Sequence, residues 1–127
     1  MNSLRSPLAR ARGLGSAKTG VHHFWVQRVS AVALIPLALW LLFGQARLTG
    51  GSFASAKHWI ASPSVAVTLV LTLAALFYHS ALGVQVVIED YVAGEGRKLV
   101  TLLLSKFAHA AAAAAGIFAV LRIAFGA

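Results

Sequence analysis

The chain of 127 residues contains no cysteine and only three acidic residues, against eleven lysines and arginines and a formal net charge of +8. Without cysteine, the chain holds no disulfide, no iron–sulfur cluster and no thiolate-bound zinc, so any metal it binds depends on histidine or carboxylate. Charged residues make up 11% of the sequence, hydrophobic residues make up 59%, and the mean hydropathy is +0.80. This composition excludes a soluble domain of this size and predicts an integral membrane protein.

Three apolar segments, at about 22–46, 64–90 and 99–123, are each long enough to cross a bilayer as a helix. Ser62 and Pro63 predict the start of the second segment, because serine favours the N-cap and proline the first helical position. The segment between the first two spans is expected to be a loop that contains His58. We therefore predict an all-α membrane protein with three transmembrane helices, in which residues 1–127 form one domain.

The N-terminal tail, residues 1–20, is basic and has no acidic residue, with arginine or lysine at positions 5, 10, 12 and 18. The loop after the first span has only Arg47 and Lys57, so the positive-inside rule places the N-terminus in the cytoplasm. Basic residues beside a span attract anionic lipid headgroups, and we expect lipid rather than nucleic acid as their partner. The tail also has the composition of a mitochondrial transit peptide, but a bacterial inner membrane is the preferred location over the mitochondrial one.

A histidine deep in the second span, His79, is the first candidate for a ligand, because an imidazole in hydrocarbon must find a partner. Small and polar residues share its face of the helix, within about 40° of one line. In lipid, such a stripe faces protein or a cofactor, and Gly83 leaves space for a flat macrocycle one turn beyond the histidine. The stripe consists of Thr68, Thr72, Ala75, His79, Gly83, Val86 and Asp90.

The pattern by itself leaves two other interpretations open. A stripe of Thr, Ala and Gly also serves plain helix packing, in which case the chain is a structural subunit without a cofactor. Alternatively, His109 in the third span is expected at the depth of His79, so a small cytochrome b with both haem ligands in one chain is geometrically possible.

Two motifs resemble the small hydrophobic membrane anchor, the D-type cytochrome b556 subunit, of succinate dehydrogenase (respiratory complex II). One is HSALGVQVVIEDYV at 79–92, where a mid-membrane histidine is followed by a glycine and then by an Asp-Tyr pair. The other is GVHHFWVQRVSAVAL at 20–34, with an arginine followed by small residues at the entrance of the first helix. With the three-span layout, the similarity covers most of residues 15–105.

The resemblance implies a role for several residues. His79 matches an axial ligand of a b-type haem, whose second axial histidine comes from a partner anchor, and Arg28 matches the arginine that meets a haem propionate. Tyr91 matches the tyrosine that hydrogen-bonds ubiquinone, and Asp90 the adjacent acid; Ser30 is a neighbour of the site. We also expect Arg28 and Tyr91 to share one polar layer at the inner surface, with His79 about 18 Å from Tyr91 along the helix.

The resemblance implies a function as well: a membrane anchor of succinate:quinone oxidoreductase that passes electrons from succinate, in the tricarboxylic acid cycle, to ubiquinone in the respiratory chain. Its partners are expected to be a flavoprotein subunit, an iron–sulfur subunit and a second, C-type anchor that shares the haem. The chain is not catalytic by itself, since it has no dinucleotide-binding glycine pattern and no cluster ligands.

Overall fold

The computed structural model describes residues 6–12 and 19–126. Every regular element in these residues is an α-helix, which confirms the predicted fold class. Three helices are long and apolar enough to cross a membrane, and these are α2, α4 and α5. The helices are α1 (Pro7–Ala11), α2 (Thr19–Arg47), α3 (Phe53–Ala61), α4 (Pro63–Tyr91) and α5 (Glu95–Ala124).

The long helices extend beyond the apolar segments that predicted them. α2 begins at Thr19 instead of 22, and α5 begins at Glu95 instead of 99. Hydropathy marks only the residues that suit hydrocarbon, whereas backbone hydrogen bonds continue the helix into the polar layer beyond it. Glu95 suits the first turn of α5, because a negative charge there complements the helix dipole.

The connection after the first span is not the simple loop that was expected, because it contains α3 and places His58 in a helix. Ser52 caps this helix: its hydroxyl oxygen accepts a hydrogen bond from the backbone N–H of Ser55 at 3.2 Å. Trp59 of α3 then stacks on Trp40 of α2, with ring centroids 5.7 Å apart. A short helix with few charges has too weak a hydropathy signal to be separated from a loop by its sequence.

The start of α4 is where the sequence predicted it. Ser62 occupies the N-cap position and Pro63 the first helical position. The backbone carbonyl of Ser62 accepts a hydrogen bond from the N–H of Ala66 at 2.9 Å, but its side chain makes no capping bond. Proline and the extended backbone of the residue before it are therefore sufficient to begin this helix.

α4 is the central helix of the bundle. It packs against α2 and against α5, and within the described residues α2 and α5 do not contact each other. The pairs Ser30–His79 and Gln27–Gly83 run in opposite directions along α2 and α4, and the pairs Ser80–His109 and Leu73–Gly116 do so along α4 and α5, so both neighbours are antiparallel to α4. The arrangement leaves most large apolar side chains exposed, and the buried residues in the described part are Ala66, Thr72 and Ile88.

These helices do not form a closed hydrophobic core by themselves. A soluble protein would bury its leucines, valines and phenylalanines, whereas here whole faces of α2 and α5 are open to the surroundings. In a bilayer those faces contact acyl chains or the helices of a partner subunit. Residues 1–5 and 13–18 of the predicted basic tail lie outside the described residues. Arg12, which lies between them, is exposed.

Candidate functional site

The ring of His79 is held between the two helices by the hydroxyl of Ser30. Ser30 Oγ lies 2.9 Å from His79 Nδ1 and, at the same time, 3.0 Å from the backbone carbonyl oxygen of Gln27. Both side chains are half-buried, so water has limited access to this contact. The predicted ligand candidate and its predicted neighbour are therefore in direct contact.

The hydrogen bonds of Ser30 determine which nitrogen of His79 is protonated. A hydroxyl has one proton, and a carbonyl oxygen can only accept, so the Ser30 proton serves the carbonyl of Gln27. The contact with Nδ1 then requires that Nδ1–H donates to Ser30 Oγ. The neutral imidazole consequently has a free lone pair on Nε2, and this atom has no hydrogen-bond partner among the described residues.

His79 borders an opening of about 310 Å³ whose other walls belong to α2. The side chain of Arg28 lines the same opening, and its guanidinium carbon lies 5.1 Å from the ring centroid of Phe24. No carboxylate pairs with Arg28 in the described part of the chain. A guanidinium inside a membrane span without a counter-charge in its own chain indicates that an anion from elsewhere belongs beside it. The opening is lined by Phe24, Gln27, Arg28, Ala31 and His79.

Arg28 lies close to the level of His79 along the helix axes and far from the level of Tyr91, which corrects the expectation that Arg28 and Tyr91 share one polar layer. Because Ser30 lies opposite His79 on an antiparallel helix, Arg28 is level with about residue 81. Ten residues of helix, about 15 Å, separate that level from Tyr91. The expectation was wrong because the level of Arg28 relative to Tyr91 depends on the register between α2 and α4, which the contact between Ser30 and His79 defines.

His109 occupies a different interface. Its Nδ1 lies 2.7 Å from the backbone carbonyl of Ser105, so Nδ1 carries the proton and donates it. Its Nε2 lies 3.1 Å from Ser80 Oγ and, in the neutral ring, accepts the hydroxyl proton. Both nitrogens are thus engaged between α4 and α5, whereas His79 faces α2. The two rings do not face one opening, and the intrachain haem that the sequence left open has no support in this geometry.

The polar stripe on α4 divides into two parts. Thr72 is buried, and its hydroxyl donates to the carbonyl of Thr68 at 2.7 Å, while Thr68 donates to Ser64 in the same way at 2.8 Å. These hydroxyls are satisfied within their own helix, so that part of the stripe serves helix packing. The part around His79 instead borders an opening.

Gly83 faces α2, because a Cβ built on it would lie 3.6 Å from the side-chain nitrogen of Gln27. The surface that Gly83 was predicted to offer to a macrocycle stays a prediction. Sequence reasoning did not single out Gln27, although an amide inside an apolar segment was a signal that could have identified it.

Asp90 and Tyr91 are the last two residues of α4, and both are exposed. Tyr91 has 84% of its surface accessible, and neither side chain makes a hydrogen bond within the described residues. Glu89, next to them, accepts a hydrogen bond from the amide of Gln85 at 2.8 Å. The phenol and the carboxylate of 90–91 are therefore free to contact a molecule or subunit outside this chain.

The residues around His79 fit one half of a haem site. A haem iron takes nitrogen ligands, and Nε2 of His79 is an unpaired nitrogen on a ring fixed through its other nitrogen. Arg28 could supply the charge that a propionate would require. Among the described residues no group of three or more His, Asp or Glu side chains could hold a metal ion. An iron within a porphyrin would need only one nitrogen ligand from this chain.

Comparison with known proteins identifies the family. Residues 2–121 match the succinate dehydrogenase/fumarate reductase transmembrane subunit family. The chain belongs to this family. The resemblance drawn from the two motifs is thereby confirmed, and the chain is a membrane anchor of the succinate dehydrogenase type.

Individual relatives agree with this assignment. The hydrophobic membrane anchor subunit of succinate dehydrogenase from Paracoccus denitrificans is 34% identical over 122 residues, which cover 96% of this chain and 94% of that protein. The corresponding subunit from Rickettsia bellii is 34% identical over 88 residues, or 69% of this chain and 70% of that protein. The succinate dehydrogenase membrane anchor subunit of Reclinomonas americana is 32% identical over 98 residues, covering 68% and 75%.

Proposed function

We propose that this anchor holds one side of a b-type haem through His79 and Arg28, and contributes Tyr91 and Asp90 to a ubiquinone site. In this proposal the complete complex passes electrons from succinate to ubiquinone. The observation that carries the proposal is the state of His79: Nδ1 is bonded to Ser30, and Nε2 is unpaired. The same histidine borders an opening that also receives a guanidinium without a counter-charge.

A bound haem supplies a one-electron carrier inside the membrane. The side chains of this chain have separate tasks toward it. His79 provides a nitrogen ligand and Ser30 fixes the ring that carries it, while Arg28 offers charge-assisted hydrogen bonds to a carboxylate. Phe24 and Ala31 of α2 supply the apolar part of the walls of the opening.

The haem is proposed to be shared with a second, C-type anchor. His79 is supported as a ligand by its free Nε2, but both nitrogens of His109 are engaged in hydrogen bonds. Because His79 is the one histidine that lines the opening in the described part of the chain, the second axial ligand is proposed to come from another chain. The opening beside His79, about 310 Å³, is also small for a macrocycle unless a partner subunit completes its walls.

The quinone site is proposed at the end of α4. A ubiquinone carbonyl needs a hydrogen-bond donor, and the phenol of Tyr91 has no competing partner in the described part of the chain. Asp90 adds a carboxylate beside it. Both residues end an apolar helix and are proposed to mark the level where hydrocarbon meets the polar interface, which is where an amphiphilic quinone head is expected to lie.

The proposal includes a location and an assembly. With the basic N-terminus in the cytoplasm, α2 leads outward and α4 returns, so that Tyr91 faces the inner side of a bacterial inner membrane. A flavoprotein subunit and an iron–sulfur subunit are proposed to dock on that side. Residues 1–127 act as one membrane-anchor domain, with tail 1–20 next to anionic lipid.

The haem assignment is tested by replacing each histidine in the assembled complex. His79→Ala is expected to abolish the reduced haem b absorption, because it removes the only unpaired imidazole at the opening. His109→Ala is the matched control, since it removes a ring of the same type at similar depth and should leave the haem content unchanged. A normal haem-to-protein ratio in His79→Ala, or loss of haem only in His109→Ala, would reject the assignment.

A further inference from the structure

We infer that Ser30 is a positioning residue for His79: it fixes both the tautomer and the direction of the imidazole, and thereby tunes the redox potential of the proposed haem. The inference rests on the proposed haem function and adds a residue whose role the resemblance did not assign.

The hydrogen bonds of the Ser30 hydroxyl determine the tautomer of His79. Ser30 Oγ has two neighbours, the carbonyl of Gln27 at 3.0 Å and His79 Nδ1 at 2.9 Å. Both contacts are satisfied together only if Ser30 donates to the carbonyl and accepts from Nδ1–H. The opposite tautomer would leave two acceptors, the carbonyl and Nδ1, competing for one hydroxyl proton.

The side chain of Ser30 is itself held in place. Ser30 is itself held by a contact with its own helix, three residues back, so its oxygen cannot rotate away without losing that bond. Ser30 and His79 are both half-buried between α2 and α4, and water does not readily replace the hydroxyl there. The imidazole is therefore fixed by a group that belongs to another helix, and its direction depends on how α2 packs against α4.

The hydrogen bond to Ser30 also affects how strongly Nε2 of His79 donates electrons to the proposed haem iron. An Nδ1–H that donates to an oxygen shares its proton, and this makes the opposite nitrogen a better electron donor. Stronger donation favours the more highly charged, ferric iron over the ferrous one. Removing the acceptor oxygen is therefore expected to raise the midpoint potential of the haem and to weaken its binding.

The neighbouring histidine provides a comparison within the same chain. Ser80 Oγ bonds to His109 Nε2, so this serine occupies the nitrogen that would have to be free for a ligand. Ser30 bonds to Nδ1 of its partner and leaves Nε2 open. One serine thus prepares a ring for ligation, and the other engages its ring in a helix–helix contact.

The experiment uses the assembled complex with Ser30→Ala, and Ser80→Ala as the matched control. The readouts are the haem midpoint potential by redox titration, the electron paramagnetic resonance spectrum of the ferric haem, and the haem-to-protein ratio. Ser30→Ala is expected to raise the potential, shift the ferric spectrum and weaken haem affinity about 10- to 100-fold, the usual effect of losing an outer partner of a ligating histidine. Ser80→Ala should change none of these.

The pair Ser30→Thr and Ser30→Val separates the hydroxyl from side-chain size, because threonine and valine have nearly the same shape. Threonine keeps an oxygen that can bond to the preceding turn and should retain the parent potential, while valine should behave like alanine. If Ser30→Ala fails to assemble, this isosteric pair still provides the comparison. Assembly is monitored by the co-purification of this chain with the other subunits.

The possible failures are distinguishable. If Ser30→Ala and Ser30→Val keep the parent potential and ferric spectrum while His79→Ala loses the haem, the positioning role of Ser30 is rejected and the haem proposal stands. If His79→Ala keeps its haem, the proposed function itself is rejected, and Ser30 has no ligand ring to position.

Discussion

Replacing Tyr91 with phenylalanine tests the quinone site independently of the haem. The substitution removes one hydroxyl and keeps the ring. Because Tyr91 is 84% exposed and its hydroxyl bonds to nothing in the described part of the chain, the folded subunit loses no internal contact. Any effect of the change therefore arises from a molecule or subunit outside this chain.

The size of the effect follows from the absence of a hydrogen bond between the Tyr91 hydroxyl and the described part of the chain. A single neutral hydrogen bond contributes about 0.5–1.5 kcal/mol net. At about 1.4 kcal/mol for a tenfold change, its loss corresponds to a roughly 2- to 12-fold weaker interaction with the quinone carbonyl. No larger loss is expected, since no buried group of this chain is left unpaired by the substitution.

The assay compares two activities of the same preparation: succinate oxidation coupled to a short-chain ubiquinone, and succinate oxidation coupled to a soluble acceptor that bypasses the anchor. Tyr91→Phe should reduce kcat/KM for the quinone and leave the second activity unchanged. Tyr78→Phe is the matched control, because Tyr78 is the other tyrosine of the chain, lies more than three turns deeper on α4 and is 53% exposed. It should match the parent in both assays.

Two results would refute the reasoning for Tyr91. If Tyr91→Phe reduces ubiquinone with the parent kcat/KM, the phenol has no role in the quinone site. If both activities fall together, Tyr91 instead supports the docking of the catalytic subunits.

Two further substitutions have defined outcomes. Arg28→Gln should weaken haem binding about tenfold or more, because a charge-assisted hydrogen bond contributes about 1.5–3 kcal/mol, and a haem titration of the purified complex with an unchanged dissociation constant would contradict the propionate assignment. Gly44→Leu should destabilise the bundle by about 1–3 kcal/mol, since its Cβ would lie 2.5 Å from the ring of Trp59. Thermal denaturation of the complex measures this, with Gly96→Ala, which meets nothing within 4 Å, as the control. Equal stability of both variants would show that the packing of α2 against α3 adapts without strain.

The geometry of the bundle explains why this subunit depends on others. α4 has a neighbour on either side, but α2 and α5 do not meet within the described residues, so no closed core forms. Its exposed apolar faces suit lipid or the helices of a partner subunit, and its free polar groups around His79 and at Tyr91 lie at two levels along α4. In the proposed function, partner subunits complete both sites.

Several features were predictable from the sequence because each is a property of local composition. Segments of about 25 apolar residues can only span a membrane as helices, since lipid offers no partner for backbone polar groups. Pro63 after Ser62 determined where α4 begins, and the motif around His79 was sufficient to indicate the family. The predicted loop at His58 failed, because capping by Ser52 and the packing of Trp59 are not visible in hydropathy.

The sequence alone determined the number of spans, the fold class and the candidate histidines, because helix formation in lipid depends on neighbours along the chain. Only the tertiary structure decided which histidine is available as a ligand. The two histidines differ in the nitrogens that Ser30 and Ser80 occupy, and each serine lies on a helix other than that of its histidine. Hydrogen bonds between helices depend on the register and the rotation of one helix relative to another. The amino-acid sequence states neither of these.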